Sequence, residues 1–183
     1  NSLQMPLLTP EQFDEKAVKQ LTLLQPDLLV VAAYGKILPK ELLDSASSGA
    51  ICLHPSLLPD YRGPSPVVQT LLNGDKGSGV TFIKMDEEMD HGPILRMETF
   101  EVHPTDTYET LMTHLFQLGA DKLPDLLRDY LAGEIEPKPQ DDSKATFCKH
   151  ITKTDGYIDL NNPPSEEQLD RMIRAYFPWP TVW

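Results

Sequence analysis

The fold class follows from a short stretch at residues 49–59, which reads GAICLHPSLLP. Its first six residues form an apolar run that predicts a β-strand buried on both faces, because half-exposed strands alternate apolar and polar residues. The run DLLVVAA at residues 27–33 has the same character, and a helix is predicted between the two at residues 39–44. Two buried strands separated by a helix indicate an α/β fold with a mostly parallel sheet flanked by helices.

The remaining elements alternate in the same manner. Thr9, followed by Pro10, is typical of a helix start, and a second helix is predicted at residues 66–72. Alternating residues at 79–85 predict a strand, and a further strand is expected at 94–102. Residues 105–131 predict a long helix or two that meet near Gly119 or Pro124. The sequence SEEQ at 165–168 is a capping box, so we expect a last helix at 165–176.

Composition limits the classes of partner. The 183 residues fit one domain, and a net charge of -12 disfavours nucleic acid as a partner of this chain alone. The two cysteines form no CxxC pair, which argues against a zinc site or a disulfide framework and favours a reducing compartment. That compartment is the cytoplasm by default, with the mitochondrial matrix or a plastid as alternatives. No apolar run approaches the roughly 20 residues that span a bilayer, so no membrane partner is expected.

Two polar side chains follow predicted strands at positions suited to chemistry. His54 ends one strand just before a long loop, and Asp90 follows the strand at 79–85. Open α/β sheets bind their ligands beyond such strand ends, although a structural histidine and a turn aspartate are the simpler interpretations. The acidic residues from Asp86 to Asp90 lack the spacing of a calcium loop, so no metal site is predicted.

Several segments together resemble the 10-formyltetrahydrofolate-dependent formyltransferase family. The resemblance rests on HPSLLPDYRG at 54–63, GVT at 79–81 and MDEEMDHGPIL at 85–95. It continues through IDL at 158–160, RMIRA at 171–175 and PWP at 178–180, which resemble the closing segment of the methionyl-tRNA formyltransferases in that family. The resemblance therefore covers nearly the whole chain and implies a Rossmann-like formyltransferase domain.

The resemblance implies where the formyl donor, 10-formyltetrahydrofolate, would bind as a co-substrate. In such enzymes the donor lies along the loop after the strand at residues 27–33. The positions that match those flanking the folate ring are Lys36, Ile37, Leu38, Asp86, Glu87, Glu88 and Met89. No metal is implied.

The resemblance also implies a catalytic trio of asparagine, histidine and aspartate. His54 and Asp90 match two members, and a carboxylate that raises the imidazole pKa would let a protonated ring stabilise the developing oxyanion. Cys52 stands where the asparagine is expected, and a thiol is a weak hydrogen-bond donor. Losing one such donor typically costs a factor of about 10² to 10³ in rate. A small buried core residue is an equally good interpretation of Cys52.

The implied reaction is formyl transfer to the α-amino group of methionyl-tRNA, the step that prepares initiator tRNA for translation. We therefore expect the folate donor and methionyl-tRNA as partners, with weak tRNA binding by this chain alone. Alternatives are a sugar-nucleotide N-formyltransferase, a formyltetrahydrofolate hydrolase, or a non-catalytic folate-binding remnant. Residues 1–183 are expected to form one partial catalytic domain that residues 134–183 close. The first half of the family's sheet and a C-terminal tRNA-binding domain have no counterpart in the sequence.

Overall fold

The computed structural model describes residues 14–35 and 37–183. The helices are α1 (Glu15–Thr22), α2 (Lys40–Leu43), α3 (Pro66–Asn73), α4 (Tyr108–Leu131) and α5 (Glu166–Ala175), with short 3-10 turns at Asp142–Lys144 and Lys153–Gly156. The strands are β1 (Leu29–Ala32), β2 (Ala50–His54), β3 (Gly77–Lys84) and β4 (Ile94–Glu101). The predicted alternation of strands and helices is confirmed.

The four strands form one sheet in the order β1-β2-β3-β4. β1 and β2 are parallel, whereas β2 pairs with β3 and β3 with β4 in antiparallel fashion. The sheet is therefore mixed, and the expectation of a mostly parallel sheet is wrong for the described residues. The connection between β3 and β4, residues 85–93, is too short for the crossover that a parallel pair requires.

The reversal between β2 and β3 follows from the connection that carries α3. His54 at the end of β2 pairs with Thr81 in the interior of β3, so the chain re-enters the sheet beyond His54. Gly74 ends α3 in a left-handed conformation with φ 70°, which turns the chain back toward the sheet. The connection that carries α3 therefore leaves and re-enters the sheet at the same end, just beyond His54.

Helices cover both faces of the sheet. On one face, α4 packs against β3 and β4, and α3 and α5 join the same core, which includes Ile51, Leu53 and Phe82. On the other face, α1 and α2 pack against β1 through a smaller apolar cluster that includes Val18 and Leu42. Side chains alternate along a strand, so Cys52 and His54 lie on the opposite face of β2 from Leu53.

Some predicted details change with the packing. β1 is not buried on both faces, since Val30 is 44% exposed, whereas six consecutive residues of β3 are buried instead of alternating. The long helix α4 continues unbroken past Gly119 and Pro124. The described part of the first helix begins at Glu15 with Asp14 as N-cap, and the start predicted at Thr9 lies outside the described residues.

The segment after α4 returns to the rest of the molecule. Lys138 pairs with Ile94 and Phe147 pairs with Arg62 through isolated β-bridges, and α5 packs on α3. The predicted α5 is confirmed, with Ser165 and Gln168 forming its capping box. Among the helices of the described residues, none is long and apolar enough to cross a membrane.

Candidate active site

His54 is fixed at the end of β2 with one ring nitrogen committed to a backbone contact. The residue is 4% exposed, and its Nε2 lies 3.0 Å from the carbonyl oxygen of Tyr61. A carbonyl can only accept a hydrogen bond, so Nε2 carries the hydrogen and Nδ1 of the neutral ring is left as an acceptor. Tyr61 has φ 60°, in the left-handed region that favours glycine, and its phenol hydrogen-bonds with Asp75 at 2.5 Å.

Asp90 approaches His54 from the connection between β3 and β4. Its Oδ1 lies 3.5 Å from Nδ1 of His54, and its Oδ2 accepts a hydrogen bond of 2.8 Å from the backbone N–H of Gly63. Asp90 itself has φ 51°, a left-handed conformation that is rare outside glycine and often found at functional sites. The predicted meeting of the two strand-end residues is thus found, and we call the pair the His54–Asp90 dyad.

The protonation of the dyad differs from the expectation. Burial lowers the pKa of His54 below its ordinary value, while Asp90 and the hydrogen bond to the Tyr61 carbonyl act in the opposite direction. Asp90 raises the pKa as predicted, but burial is the larger cause, and the resulting shift of the His54 pKa favours the neutral imidazole. Burial thus disfavours the expected protonated ring, whereas the position of Nδ1 opposite the Asp90 carboxylate favours it.

Cys52 lies two residues before His54 on the same face of β2 and is partly buried. Burial, and then the negative charge of Asp90, raise the pKa of its thiol to about 12. A nucleophilic thiolate is therefore disfavoured at neutral pH, whereas the S–H group remains present as a weak hydrogen-bond donor.

A cleft of about 290 Å³ opens beside these three residues. One side, which we call the donor wall, consists of the predicted folate-flanking residues Ile37, Leu38, Asp86, Glu87, Glu88 and Met89. Lys36, also predicted there, lies outside the described residues. The other side includes Val67, Tyr108, Met112, Phe116 and His150. The cleft thus brings Cys52, His54 and Asp90 together with these two groups of lining residues.

The acidic residues of the donor wall are organised by local hydrogen bonds. Asp86 accepts from the backbone N–H of Glu88 at 3.0 Å and contacts Nδ1 of His91 at 2.7 Å. This contact with Asp86 raises the pKa of His91. Within residues 14–35 and 37–183, no group of three or more His, Cys, Asp and Glu side chains is arranged to hold a metal ion.

Sequence reasoning missed several groups of the site. The Tyr61 carbonyl and the Gly63 N–H, which hold His54 and Asp90, belong to the quoted motif, but a motif does not reveal backbone contacts. Tyr108, Met112 and Phe116 recur every four residues on α4, a spacing that indicates one helical face without identifying the cleft. His150 had no sequence signal that distinguished it from a surface residue.

The amino-acid sequence matches a known protein family. The sequence model of the formyl transferase family matches residues 3–127. A methionyl-tRNA formyltransferase of Roseiflexus sp. (strain RS-1) is 47% identical over 185 residues, which cover 99% of this chain and 56% of that protein. One from Chloroflexus aurantiacus is 45% identical over 183 residues, covering 98% and 58%. The chain therefore spans a little over half the length of these relatives.

Solved structures share the fold. A sugar N-formyltransferase from Shewanella sp. superposes with a TM-score of 0.74 at 27% identity, covering 90% of this chain and 65% of that protein. HypX from Aquifex aeolicus in complex with tetrahydrofolic acid gives a TM-score of 0.77 at 20% identity, covering 89% and 28%. The second likeness concerns the fold alone, because the sequence identity is low.

Proposed function

This chain belongs to the formyl transferase family, and we propose that it is the catalytic part of an enzyme that formylates methionyl-tRNA. The formyl group comes from 10-formyltetrahydrofolate and goes to the α-amino group of the esterified methionine. The observation that carries the proposal is the His54–Asp90 dyad, with 3.5 Å between Nδ1 and Oδ1, inside a cleft of the formyl transferase fold. The names of the relatives, at 45% to 47% identity, favour methionyl-tRNA as the acceptor.

The donor wall fits a flat, polar-edged ring such as that of a folate. Ile37 and Met89 supply exposed apolar surface, while the Asp86–Glu88 segment supplies backbone and carboxylate groups at the edge. Ligand pockets commonly combine apolar faces with a few polar groups that fix orientation. We assign the formyl donor to this wall, with its reactive carbon toward the dyad.

The dyad handles the proton that the reaction must move. The amine nitrogen first adds to the formyl carbon, which gives a tetrahedral intermediate with negative charge on the formyl oxygen. The C=O bond then re-forms as the bond from that carbon to the donor nitrogen breaks. The neutral Nδ1 of His54 takes the proton lost by the amine, and the proton then passes to the donor nitrogen that leaves. Asp90 stabilises the imidazolium that exists in between, since opposite charges attract strongly in a buried site.

Cys52 occupies the place from which an amide would stabilise the developing negative charge on the formyl oxygen. Its raised pKa keeps the thiol protonated, so Cys52 contributes a weak hydrogen-bond donor there. We therefore propose a working but slowed transfer reaction.

The acceptor brings a second partner, and this chain is poorly equipped to hold it alone. Its net charge of -12 repels the phosphate backbone, so we expect weak tRNA binding that falls steeply with salt. The relatives are much longer than this chain, and the remainder of a full-length enzyme would supply tRNA affinity. We expect the reaction to occur in the cytoplasm.

A sugar-nucleotide amine is the second candidate acceptor, which the similarity to the Shewanella enzyme favours. Hydrolysis of the donor by water is the third, and binding without turnover would indicate a non-catalytic remnant. These outcomes differ in the product that carries the formyl group.

The deciding experiment supplies the protein with donor labelled in the formyl group and with one acceptor at a time. The acceptors are methionyl-tRNA, an amino-sugar nucleotide, and water alone. We expect label on methionyl-tRNA in a single turnover, at a rate that exceeds hydrolysis. Label on the sugar, or formate at an equal rate in every arm, would overturn the proposed acceptor.

A further inference from the structure

The side-chain amide of Gln140 joins two parts of the site that are distant in sequence. Its Nε2 donates to the carbonyl oxygens of Asp90 and Gly92, both at 2.8 Å. Its Oε1 accepts from Nε and Nη2 of Arg62, at 3.0 and 2.8 Å. Both ends of one amide are thereby used, one on the turn that carries Asp90 and the other on the loop that follows β2.

Arg62 is a firm anchor for this amide. The residue is 4% exposed, and its guanidinium also contacts Asp142 at 2.7 Å. Its backbone N–H donates to Thr146 and its carbonyl accepts from Cys148, both at 2.9 Å. A buried guanidinium with charged and neutral acceptors is held in one geometry, because moving it would leave its donors unpaired.

The turn that carries Asp90 and Gly92 needs contacts from outside itself to keep its conformation. Asp90 has φ 51°, and a non-glycine residue keeps such a conformation when its surroundings over-determine it. Gly92 lies so close to β3 that an added Cβ would be 1.9 Å from the carbonyl oxygen of Lys84. The turn is therefore pressed against the sheet on one side and bonded to Gln140 through two carbonyls.

We propose that Gln140 is a positioning residue that holds the Asp90 carboxylate facing Nδ1 of His54. The inference rests on the proposed function, because it assigns Gln140 a part in the reaction that the dyad performs. Gln140 lies beyond residues 3–127, the segment that matches the family. The segment after α4 thus supplies part of the catalytic geometry without contacting the reacting atoms.

Two conservative variants separate positioning from simple anchoring of Arg62. Gln140→Glu keeps acceptors for Arg62 but turns a carboxylate toward the carbonyls of Asp90 and Gly92, where it can only repel. Gln140→Met has a similar length and loses both sets of hydrogen bonds. If positioning is the role, both variants lose activity; if anchoring of Arg62 is the role, Gln140→Met alone does.

The measured quantities are kcat and KM for formyl transfer. We expect kcat to fall by about 10- to 100-fold in both variants, since small displacements of a reacting group have effects of this size. KM for the formyl donor should stay within about twofold, because the donor wall is unchanged. A Gln140→Glu variant with the kcat of the parent would overturn the proposal.

A control variant tests whether a general loss of stability explains the fall in kcat. Ser165→Ala deletes the N-cap of α5, far along the chain from the dyad, and lowers stability by an amount typical of a lost cap. We expect it to lower the melting temperature and leave kcat unchanged at a temperature where it is folded. An equal loss of kcat in Ser165→Ala would assign the effect to stability and overturn the proposal.

A measurement without turnover keeps this inference separate from the proposed function. The groups that face His54 are the Asp90 carboxylate and the Tyr61 carbonyl. If Asp90 withdraws in Gln140→Met, the pKa of His54, followed by NMR of the ring, falls below that of the parent. An unchanged titration overturns the inference, whereas a parent that transfers no formyl group to any acceptor overturns the proposed function instead.

Discussion

The His54–Asp90 dyad and the donor wall border the same cleft but are built in opposite ways. The side chains of His54 and Asp90 are 5% and 16% exposed, and all four of their polar side-chain atoms have contacts within 3.5 Å to neighbours or to each other that fix their orientation. On the donor wall, Ile37 is 66% exposed and Met89 is 48% exposed. The dyad is thus ordered without a ligand, whereas the wall would gain burial if the proposed formyl donor bound there. Changes to the dyad should therefore appear in kcat, and changes to the wall should appear in KM.

The strongest way to break the dyad is His54→Ala. We expect kcat for formyl transfer to fall about 10³-fold, within the range for removal of a general acid–base group, with little change in KM. Single-turnover transfer measures the loss. His103→Ala, an exposed histidine outside the cleft, is the matched control and should behave as the parent. A His54→Ala variant that retains the activity of the parent would show that His54 takes no part in the mechanism.

Cys52→Asn should raise the rate of formyl transfer at the buried dyad. An amide replaces a thiol, which is a weak hydrogen-bond donor, at the developing oxyanion. We therefore expect kcat to rise by about 10²-fold while KM for the formyl donor changes little. Cys52→Ala, which supplies no donor, should be no faster than the parent. If Cys52→Asn is no faster while His54→Ala is inactive, Cys52 does not stand at the oxyanion position.

Gly63→Ala tests how closely the dyad depends on its backbone support. Gly63 has φ 116°, and an added Cβ would lie 2.5 Å from the carbonyl oxygen of Cys148. We expect a loss of about 2 to 3 kcal/mol in the free energy of unfolding, measured by denaturant titration, because both strain and a backbone clash result. Gly77→Ala, where φ is ordinary and a Cβ meets nothing within 4 Å, should be nearly neutral. Equal effects in the two variants would contradict this account.

On the donor wall, Met89→Ala should raise KM for the formyl donor by about five-fold, because roughly 1 kcal/mol of apolar contact with the ligand is lost. Both kcat and the melting temperature should stay near those of the parent. Leu131→Ala removes a similarly exposed apolar side chain outside the cleft and should change neither kcat nor KM. A fall in kcat without a change in KM would place Met89 with the dyad instead.

The two histidines nearest Asp90 and Asp86 should titrate on opposite sides of the ordinary value of about 6.5. Burial lowers the pKa of His54, whereas the hydrogen bond that His91 donates to Asp86 raises the pKa of the more exposed His91. As pH falls from 8, His91 should therefore gain its proton first. NMR of the ring protons, assigned with His91→Gln, measures the order. The reverse order would contradict the contrast between the buried ring of His54 and the more exposed ring of His91.

The elements that the sequence predicted correctly are those with local signals. Ser165 and Gln168 form a capping box within four residues, and Asn73-Gly74 ends α3 through the conformational freedom of glycine. The proximity of His54 and Asp90 was also predictable, since each follows a strand and each matches a family motif. Those inferences need little knowledge of distant contacts.

The features that the sequence did not reveal depend on tertiary packing. The apolar run at residues 49–54 is the same whether its neighbours are parallel or antiparallel, because burial on both faces sets its composition. The lowered pKa of His54 depends on how deeply the fold buries the ring. A nearby carboxylate alone predicts a raised pKa, so the direction of the net shift could not be read from the sequence. Gln140 looked like any polar residue in a proline-containing segment, because its partners lie about 50 and 78 residues earlier.

The buried Arg62 has a consequence for how the protein is made. A ribosome synthesises the chain from its N-terminus, so Arg62 exists well before Gln140 and Asp142, the acceptors of its guanidinium. Until those residues emerge, the nascent chain holds a cation that cannot be buried without a large desolvation penalty. We therefore expect the loop around Arg62 to reach its final geometry only after residues 140–142 have been synthesised.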